Sequence, residues 1–368
     1  MKLKVSIPAF RGPYEVEIRY GALQWLPQYL PSLASRFAII TDDRIASLHG
    51  ESLKQTLSTA GLRVDLFAFP NGENNKTRET KEKLENQLFE KGFGRDTCVI
   101  ALGGGVVTDL VGFLAATYCR GVPLVIVPTS LMGMVDASIG GKTGVNVPFG
   151  KNMIGCLYQP NKTVIDPSLL KTLSKREFSS GTVEMIKHGL IADRDYFEFL
   201  EKSVKSLLAL QPETVEKAIS ESIRIKKEIV EEDINDQGKR HLLNFGHTVG
   251  HALEKVSHFA FSHGEAVAIG ILAESHLAMQ MGLLKTMDFD RIQKILTKYE
   301  LPLKMPKGFS IQTVFDALSA DKKALKGKAR FVLINGLGSP CTYEGTYCTT
   351  VDDAVVKSAL QWMFDALR

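Results

Sequence analysis

The first half of the chain alternates short, largely apolar runs with segments of helix length. The runs are rich in β-branched and aromatic residues, and strands of this kind need cover on both faces. They are typical of parallel sheets that carry helices on each side. The pattern predicts an α/β domain whose strands lie at residues 37–41, 63–69, 97–102, 124–127 and 163–165. Residues 4–7 and 14–19 predict a hairpin at the sheet edge.

The sequence becomes helical beyond residue 167. A chain of 368 residues exceeds the usual size of one domain, so we expect two. These are an α/β domain at residues 1–167 and a mainly α-helical domain at residues 168–368. In the second domain, helices are predicted at residues 177–191, 196–210, 212–232, 241–256, 264–281, 289–299 and 351–367, with a small strand at 330–334.

The composition excludes several classes of protein. A net charge of +4 is too small and too dispersed to indicate binding to nucleic acid. No apolar run is long enough to span a membrane, and the first residues lack the apolar core of a signal peptide. The five cysteines are scattered, which is typical of free thiols in a reducing compartment. We therefore expect a cytoplasmic protein, with anionic small molecules as candidate ligands.

Three consecutive glycines, Gly103 to Gly105, follow a predicted strand and precede an apolar helix. Such a turn exposes backbone N–H groups at a helix N-terminus, where the helix dipole favours an anion. The segment from Gly103 to Asp109 is therefore a candidate site for a pyrophosphate group. A tight turn without a ligand is the alternative, because the sequence does not match the GxGxxG fingerprint.

A glycine-rich stretch from Pro128 to Asn152 is predicted to be one long loop. Loops of this length inside a compact domain are uncommon unless they are functional. Glycine lets the backbone approach a ligand closely, and lysine supplies a compact positive charge. Lys142, Lys151 and Asn152 are therefore candidates to bind phosphates or a sugar hydroxyl, although either lysine alone would be interpreted as a surface residue.

Five of the eight histidines lie between residues 241 and 263. The spacing of a further set is 4, 3 and 4 residues, so on one continuous helix its members would share a face. The set comprises Arg240, Asn244, His247 and His251. A face with these side chains cannot belong to an apolar core, so it must line a polar cavity or face solvent.

Two histidines one helical turn apart suit a divalent metal. Zinc sites commonly take two histidines and one carboxylate and keep an open position. Glu184, which shares a helical face with Lys187, is the candidate carboxylate. The spacing does not decide whether His251 or His263 is the second histidine ligand. Any one histidine alone would be interpreted as a solvated or core residue, whereas the cluster favours a functional site.

Together these segments resemble the 3-dehydroquinate synthases, a family of sugar phosphate cyclases. The most specific stretches are Gly-Gly-Lys-Thr-Gly-Val-Asn at residues 140–146 and Asn-Phe-Gly-His-Thr-Val-Gly-His-Ala at residues 244–252. The likeness extends from Asp42 to Lys323. It implies an N-terminal Rossmann-like NAD-binding domain, a mainly α-helical C-terminal domain for metal and substrate, and a homodimer.

The resemblance also implies two cofactors. Zinc or cobalt would be held by Glu184, His247 and His263. NAD would contact residues from several separate segments, namely Asp42, Asn71, Gly72, Glu73, Lys76, Gly103, Gly104, Gly105, Val106, Val107, Thr108, Asp109, Thr129, Ser130, Lys142, Lys151, Leu169, Leu170, Lys171 and Thr172.

The implied substrate is 3-deoxy-D-arabino-heptulosonate 7-phosphate, and the products are 3-dehydroquinate and phosphate, in the shikimate pathway to aromatic amino acids. Its C5 hydroxyl is oxidised by NAD, phosphate leaves by β-elimination, the hydride returns, and an intramolecular aldol reaction closes the ring. The implied substrate contacts are Asp136, Lys142, Asn152, Lys187, Lys226, Arg240, Asn244, His251 and one of Lys322 and Lys323. Within this set, Arg240 and Lys226 would take the carboxylate, and Lys142, Asn152, His251 and the lysine of the 322–323 pair the phosphate.

Two alternatives remain. Another sugar phosphate cyclase would make an inosose or valiolone ring, and such relatives typically alter the carboxylate-binding positions that this chain retains. A metal-dependent polyol dehydrogenase would release NADH during turnover. The stretches at residues 129–136 and 181–183 depart from the commoner family sequences, but neither departure removes an implied ligand.

Overall fold

The structure is a computed structural model that describes residues 1–5, 13–257, 260–305, 308–319 and 328–367. Lys322 and Lys323 lie outside these described residues. The chain separates into two compact units, the first comprising Met1–Ser174 and Val215–Ile223 and the second Lys175–Thr214 and Arg224–Arg368. The functional division at residue 167 stays a prediction.

A seven-stranded sheet forms the centre of the first unit. The strands of this unit are β1 (Lys2–Val5), β2 (Tyr14–Ile18), β3 (Arg36–Asp42), β4 (Arg63–Phe69), β5 (Thr97–Gly103), β6 (Leu124–Pro128), β7 (Lys142–Val147), β8 (Gly150–Leu157) and β9 (Lys162–Ile165). In the sheet the order is β1-β2-β9-β6-β5-β3-β4, and all neighbours are parallel except β1 and β2. The predicted parallel sheet is confirmed, and so is the antiparallel strand pair at its edge.

The sheet is buried because helices cover it. The helices of this unit are α1 (Leu26–Tyr29), α2 (Asp43–Ile45), α3 (Glu51–Thr59), α4 (Arg78–Glu90) and α5 (Gly105–Thr117). Helix α5 is apolar over most of its surface, and its Leu110 and Leu114 pack with Val99 and Ala101 of β5 in one core. The continuous apolar character of β5 follows from this burial.

The stretch from Pro128 to Asn152 is not the long loop that its glycines predict. It contains a short π-helical turn at Gly133–Ala137 and then enters the antiparallel hairpin of β7 and β8. Gly144 in this stretch and Gly155 just after it allow close strand pairing. A Cβ atom on Gly144 would lie 2.7 Å from the carbonyl oxygen of Ile154, and one on Gly155 would lie 1.9 Å from the carbonyl oxygen of Thr143. Glycine content therefore indicated a loop where it permits a tight hairpin.

Helices dominate the remainder of the chain. They are α6 (Lys175–Ala192), α7 (Arg194–Leu208), α8 (Pro212–Glu232), α9 (His247–Val256), α10 (His263–Gln280), α11 (Thr286–Lys298), α12 (Ile311–Ser319) and α13 (Asp353–Ala366). The predicted strand at 330–334 is divided between β10 (Arg330–Phe331) and β11 (Ile334–Gly336), which pair with β13 (Thr349–Thr350) and β12 (Ser339–Pro340) respectively. Helix α10 is buried on almost every side and packs against α6, α9, α11 and α13.

The helix predicted at residues 241–256 is interrupted. Residues Lys239–Asn244 form a 3-10 segment, Gly246 adopts a left-handed conformation with φ of 78°, and α9 begins only at His247. Arg240 and Asn244 therefore do not lie on the helix that carries the histidines, and the prediction of one common helical face is wrong. Gly246 breaks the helix because its amide bonds to a side chain outside the helix instead of continuing the ladder.

Two expectations from composition agree with the structure. All five cysteines are free. Among the described residues, no helix has both the length and the apolar character required to cross a membrane.

Candidate active site with a metal-binding cluster

Glu184, His247 and His263 converge within the second unit. The Nε2 atoms of His247 and His263 lie 3.6 and 3.7 Å from the same oxygen, Oε1 of Glu184. These distances are too long for hydrogen bonds, and Oε1 is a buried atom that accepts no hydrogen bond from the described part of the chain. Zinc binds histidine nitrogen and carboxylate oxygen at about 2.0–2.2 Å, so an ion between the three atoms would satisfy all of them.

The helices that carry these residues approach closely because glycines lie at their contacts. A Cβ atom on Gly264 would lie 2.2 Å from the carbonyl oxygen of Ser180, so the N-terminus of α10 sits directly on α6. A Cβ atom on Gly270 would lie 1.9 Å from the carbonyl oxygen of Gly246, which brings α10 equally close to the start of α9. Larger residues would separate the ligand-bearing backbones.

Glu274 fixes the start of α9. This fully buried carboxylate accepts hydrogen bonds from the amides of Gly246, at 2.7 Å, and Val249, at 3.1 Å. The first amides of a helix have no partner within the helix, so Glu274 determines where α9 begins and thus where His247 lies. The sequence analysis missed Glu274, although an acidic residue inside the apolar helix α10 is a visible signal.

The start of α10 is fixed just as firmly. Ser262 and Glu265 form a reciprocal capping box around the first turn. Arg176 adds two hydrogen bonds to Glu265, from Nε to Oε1 at 2.6 Å and from Nη2 to Oε2 at 2.7 Å. Because His263 is the first residue of α10, these contacts place its imidazole next to α6.

Each histidine has a second partner on its Nδ1 side. Nδ1 of His247 lies 3.1 Å from the carbonyl oxygen of Phe245, and Nδ1 of His263 lies 3.5 Å from Oε2 of Glu254. Partners of this kind hold the ring so that Nε2 points at the metal, and they increase the basicity of the ligand. The sequence analysis missed Glu254, because its spacing from His263 across a turn carries no recognisable pattern.

The charges around the cluster set the protonation states of its three side chains. Burial raises the pKa of Glu184, but Lys187, which donates to its Oε2, and the two histidines hold that pKa well below its usual range. Burial and then Lys187 hold the pKa of His247 well below its usual value, so its imidazole is neutral. Burial lowers the pKa of His263, yet Glu184 and Glu254 raise it to about 10. Without metal, the site therefore carries one proton on His263.

His251 lies beside the cluster, so the sequence alternative is physically close. Its ring centroid is 5.3 Å from that of His247 and 6.1 Å from that of His263. His251, Glu254 and His263 form a second group whose ligand atoms lie within 4.8 Å of one another. In the group of Glu184, His247 and His263, by contrast, both histidines face one buried carboxylate oxygen, Oε1 of Glu184.

The remaining substrate candidates of the second unit are mostly buried. Lys187, Lys226 and Arg240 are each no more than 5% exposed, which is unusual for long charged side chains. Arg240 donates from Nη1 to the carbonyl oxygen of Ile234 at 2.9 Å, while its backbone amide donates to Asp233 at 3.0 Å. Asn244 ends the 3-10 segment. Their roles toward substrate stay predictions.

Most cofactor candidates of the first unit follow the carboxyl ends of strands in its seven-stranded sheet, whereas Lys142 and Lys151 lie on the separate β7–β8 hairpin. Strand β3 ends at Asp42 and β5 ends at Gly103, and the candidates at 71–76, 129–130 and 169–172 follow β4, β6 and β9. Because these strands are parallel, their carboxyl ends share an edge. Strand β4 pairs with one side of β3, whereas β5 pairs with the other side and is followed there by β6 and β9. The strand order therefore reverses between β3 and β5. Open α/β sheets bind ligands at such switch points.

The glycine turn stands at this switch point. Gly104 is the N-cap of α5 without a side-chain cap, which leaves the first amides of the helix available to an anion. A Cβ atom on Gly103 would lie 2.4 Å from Cγ2 of Val107, so the turn accepts no larger residue there. This geometry agrees with the predicted pyrophosphate site, whose occupant stays a prediction.

Lys76 connects three of the predicted segments of the first unit. Its buried Nζ donates to Oδ2 of Asp109 at 2.5 Å and to Oδ1 of Asn152 at 2.6 Å. These bonds join the turn after β4, helix α5 and the β7–β8 hairpin. Lys142 is exposed at the start of the hairpin, and Asp136 is half-buried in the π-helical turn.

Comparison with known proteins identifies the family. A family model described as 3-dehydroquinate synthase N-terminal matches residues 66–180, and one described as 3-dehydroquinate synthase C-terminal matches residues 181–324. The chain is 41% identical over 328 residues to the 3-dehydroquinate synthase of Desulforamulus reducens, which covers 88% of this chain and 91% of that protein. The chain belongs to the 3-dehydroquinate synthase family.

Solved structures of other cyclases share the fold. A 2-deoxy-scyllo-inosose synthase complexed with carbaglucose-6-phosphate, NAD+ and Co2+ superposes with a TM-score of 0.91 at 26% identity, over 98% of this chain and 99% of that chain. ValA, a 2-epi-5-epi-valiolone synthase from Streptomyces hygroscopicus with NAD+ and Zn2+ bound, gives 0.88 at 29% identity over the same shares. The predicted fold class is therefore confirmed.

The family segments contain the two groups of contacts described above. The 3-dehydroquinate synthase C-terminal segment contains Glu184, His247 and His263. The 3-dehydroquinate synthase N-terminal segment contains the bonds of Lys76 with Asp109 and Asn152. Both groups thus lie within the parts of the chain by which the family is recognised.

Proposed function

We propose that this chain converts 3-deoxy-D-arabino-heptulosonate 7-phosphate into 3-dehydroquinate and phosphate, the cyclisation step of the shikimate pathway. The observation that carries the proposal is the buried oxygen of Glu184 that faces His247 and His263, in a chain 41% identical to a curated 3-dehydroquinate synthase. NAD and a divalent metal, zinc or cobalt, are the proposed cofactors, since related cyclases were crystallised with them.

Glu184, His247 and His263 would hold the metal. A bound divalent ion supplies Lewis acidity that lowers the pKa of a coordinated substrate hydroxyl. Lys187 keeps the Glu184 carboxylate ionised by donating to its second oxygen, and burial keeps His247 neutral. Two of the three ligands are thus already in the protonation state that a metal requires.

NAD would bind at the carboxyl edge of the sheet, with its pyrophosphate at the glycine turn. The cofactor supplies a reversible hydride acceptor. Gly104 and the first amides of α5 would bind the anion, and Asp42, at the end of β3, would lie across the switch point from them. Asp42 also caps α2 by accepting from the amide of Ile45 at 2.8 Å, so its position is fixed.

The substrate carries a phosphate and a carboxylate, and we assign these groups to different residues. Lys142, Asn152 and His251 would bind the phosphate, which must be oriented for its departure by β-elimination. Arg240 and Lys226 would bind the carboxylate, with Arg240 suited to two parallel hydrogen bonds. Asp136, Lys187 and Asn244 would complete the substrate contacts. We further propose that the protein acts in the cytoplasm and that it forms a homodimer. Sedimentation equilibrium, which measures the mass of the assembly, tests the homodimer.

Product identification tests the proposed function. The purified protein, supplied with NAD and zinc, receives either the heptulosonate phosphate or glucose 6-phosphate, which has no carboxylate. We expect 3-dehydroquinate and phosphate from the first substrate by NMR, and no ring product from the second. A cyclic product from glucose 6-phosphate alone would instead establish another sugar phosphate cyclase, as suggested by the inosose synthase complexed with carbaglucose-6-phosphate.

A further inference from the structure

Asn146, which no prediction assigns to a site, connects two segments that are assigned to cofactor and substrate. Its Nδ2 donates to Oε1 of Glu73 at 2.7 Å, and its Oδ1 accepts from the amide of Asn152 at 2.9 Å. Its own backbone amide donates to the carbonyl oxygen of Lys76 at 2.8 Å. One side chain on β7 therefore holds both the turn after β4 and the start of β8.

The bonds of Asn146 complete a closed polar network. Asn152 accepts from Lys76 Nζ at 2.6 Å, and Lys76 also donates to Asp109 on α5. Asn152 itself has φ of 54°, a left-handed conformation that a non-glycine residue adopts at a cost. Its amide is held in that conformation by the Oδ1 atom of Asn146.

We propose that Asn146 is a positioning residue that sets Glu73 and Asn152 for cofactor and substrate. This inference rests on the proposed function for the roles of Glu73 and Asn152. Asn146 acts through these two residues and need not touch either ligand. When the bonds of Asn146 to Glu73 and Asn152 are intact, Asn152 is positioned so that its Oδ1 atom accepts from Nζ of Lys76.

The chemistry of the amide makes this inference testable. An amide donates to one partner and accepts from another at the same time. An aspartate at this position would still accept from the amide of Asn152, but it would place a second carboxylate next to Glu73 and lose the donor. Asn146→Asp therefore removes the bonds from Nδ2 to Glu73, including a longer one of 3.4 Å to its carbonyl oxygen, and keeps the bond from the amide of Asn152, with almost no change of volume.

A double-mutant cycle with Glu73→Gln isolates the bond between the two side chains. In the Glu73→Gln background, the glutamine amide can donate to the carboxylate introduced by Asn146→Asp, so the bond is restored with reversed polarity. We expect Asn146→Asp alone to raise the Kd of NAD and the KM of the heptulosonate phosphate about tenfold, with a smaller change in kcat. In the Glu73→Gln background we expect the same substitution to cost less than about threefold.

Asn86→Asp is the matched control, because Asn86 is exposed on α4 and the change adds the same charge. It should leave the Kd of NAD and the KM unchanged. An equal penalty for Asn146→Asp in both Glu73 backgrounds overturns the proposal, as does an unchanged Kd of NAD together with an unchanged KM.

Hydrogen exchange separates this inference from the proposed function. Asn146→Asp should speed exchange across residues 142–157 in the absence of any substrate, and Glu73→Gln should reverse the effect. That result supports the positioning role even if the wild-type protein makes no 3-dehydroquinate, whereas unchanged exchange overturns it.

Discussion

The Nδ1 atom of His263 lies 3.5 Å from Oε2 of Glu254, while Nε2 of the same ring faces the buried oxygen of Glu184. A carboxylate behind a ligating imidazole orients the ring and increases its basicity. Glu254 is 5% exposed, so water competes little for this contact. The relationship makes Glu254 an outer partner of the metal site, although it would not touch the ion.

Glu254→Gln should weaken metal binding without removing it. The amide keeps the size of the side chain but loses the negative charge, and loss of such partners typically costs about 10- to 100-fold in metal affinity. The measurement is the Kd of zinc by chelator competition. Glu232→Gln, at an exposed carboxylate that pairs with Lys239, is the control and should bind zinc normally. An unchanged Kd for Glu254→Gln would contradict the role of Glu254.

Alanine substitutions at the proposed ligands should each release the metal. Glu184→Ala, His247→Ala and His263→Ala leave only two ligands, and a three-ligand site has none to spare. His251→Ala should retain the metal and lose turnover. Metal content by atomic emission and kcat for the four variants provide the comparison. Retention of zinc by His263→Ala and its loss from His251→Ala would reverse the ligand assignment.

Metal binding should release one proton near neutral pH. Without metal, His263 is protonated because its pKa is raised to about 10, whereas Glu184 is ionised and His247 neutral. The ion must displace the His263 proton, so the apparent Kd should rise about tenfold for each unit by which pH falls. Titrations at several pH values between neutrality and the pKa of His263 test this slope. A Kd independent of pH would contradict it.

The same pKa sets a trend in stability for the metal-free protein. The pKa of His263 is higher in the folded chain than its ordinary value of 6.5. The protonated imidazole therefore contributes to the free energy of unfolding, and this contribution is fully present below pH 6.5. It is lost as pH rises toward about 10. Because the His263 side chain is itself 36% exposed, solvent screens part of its charge even though its carboxylate partners are buried, and the fall in melting temperature should be small.

The sequence predicted the sheet better than it predicted the connections between its elements. Apolar runs specified strands such as β4 because burial on both faces leaves a continuous pattern. The helix break at Gly246 was not predicted because it depends on a hydrogen bond to Glu274, a residue distant in sequence. The β7–β8 hairpin was not predicted because glycines are common in loops. Composition alone does not show that Gly144 and Gly155 permit close strand pairing. The contact of Glu254 with His263 was not predicted either, because the position of an acidic residue in the sequence does not indicate which histidine it will contact in the fold.

Arg240→Lys should impair catalysis far more than folding. Arg240 is 2% exposed, so a substrate carboxylate bound to its guanidinium would gain two charge-assisted hydrogen bonds in a desolvated site. Lysine keeps the charge but not the planar fork, and we expect a loss of about 2–4 kcal/mol, or roughly 30- to 1,000-fold in kcat/KM. Arg194→Lys, at a 63% exposed surface pair, is the matched control. Near-normal kcat/KM with a lowered Tm would remove Arg240 from the substrate site.

The central claim is that NAD is used and regenerated within one catalytic cycle that also needs the metal. The most direct measurement follows 3-dehydroquinate and NADH together, with limiting NAD and excess heptulosonate phosphate. We expect product in many-fold excess over NAD without accumulation of NADH, abolition by a chelator, and recovery with zinc or cobalt. NADH that accumulates in step with substrate consumption would contradict the account and indicate a dehydrogenase.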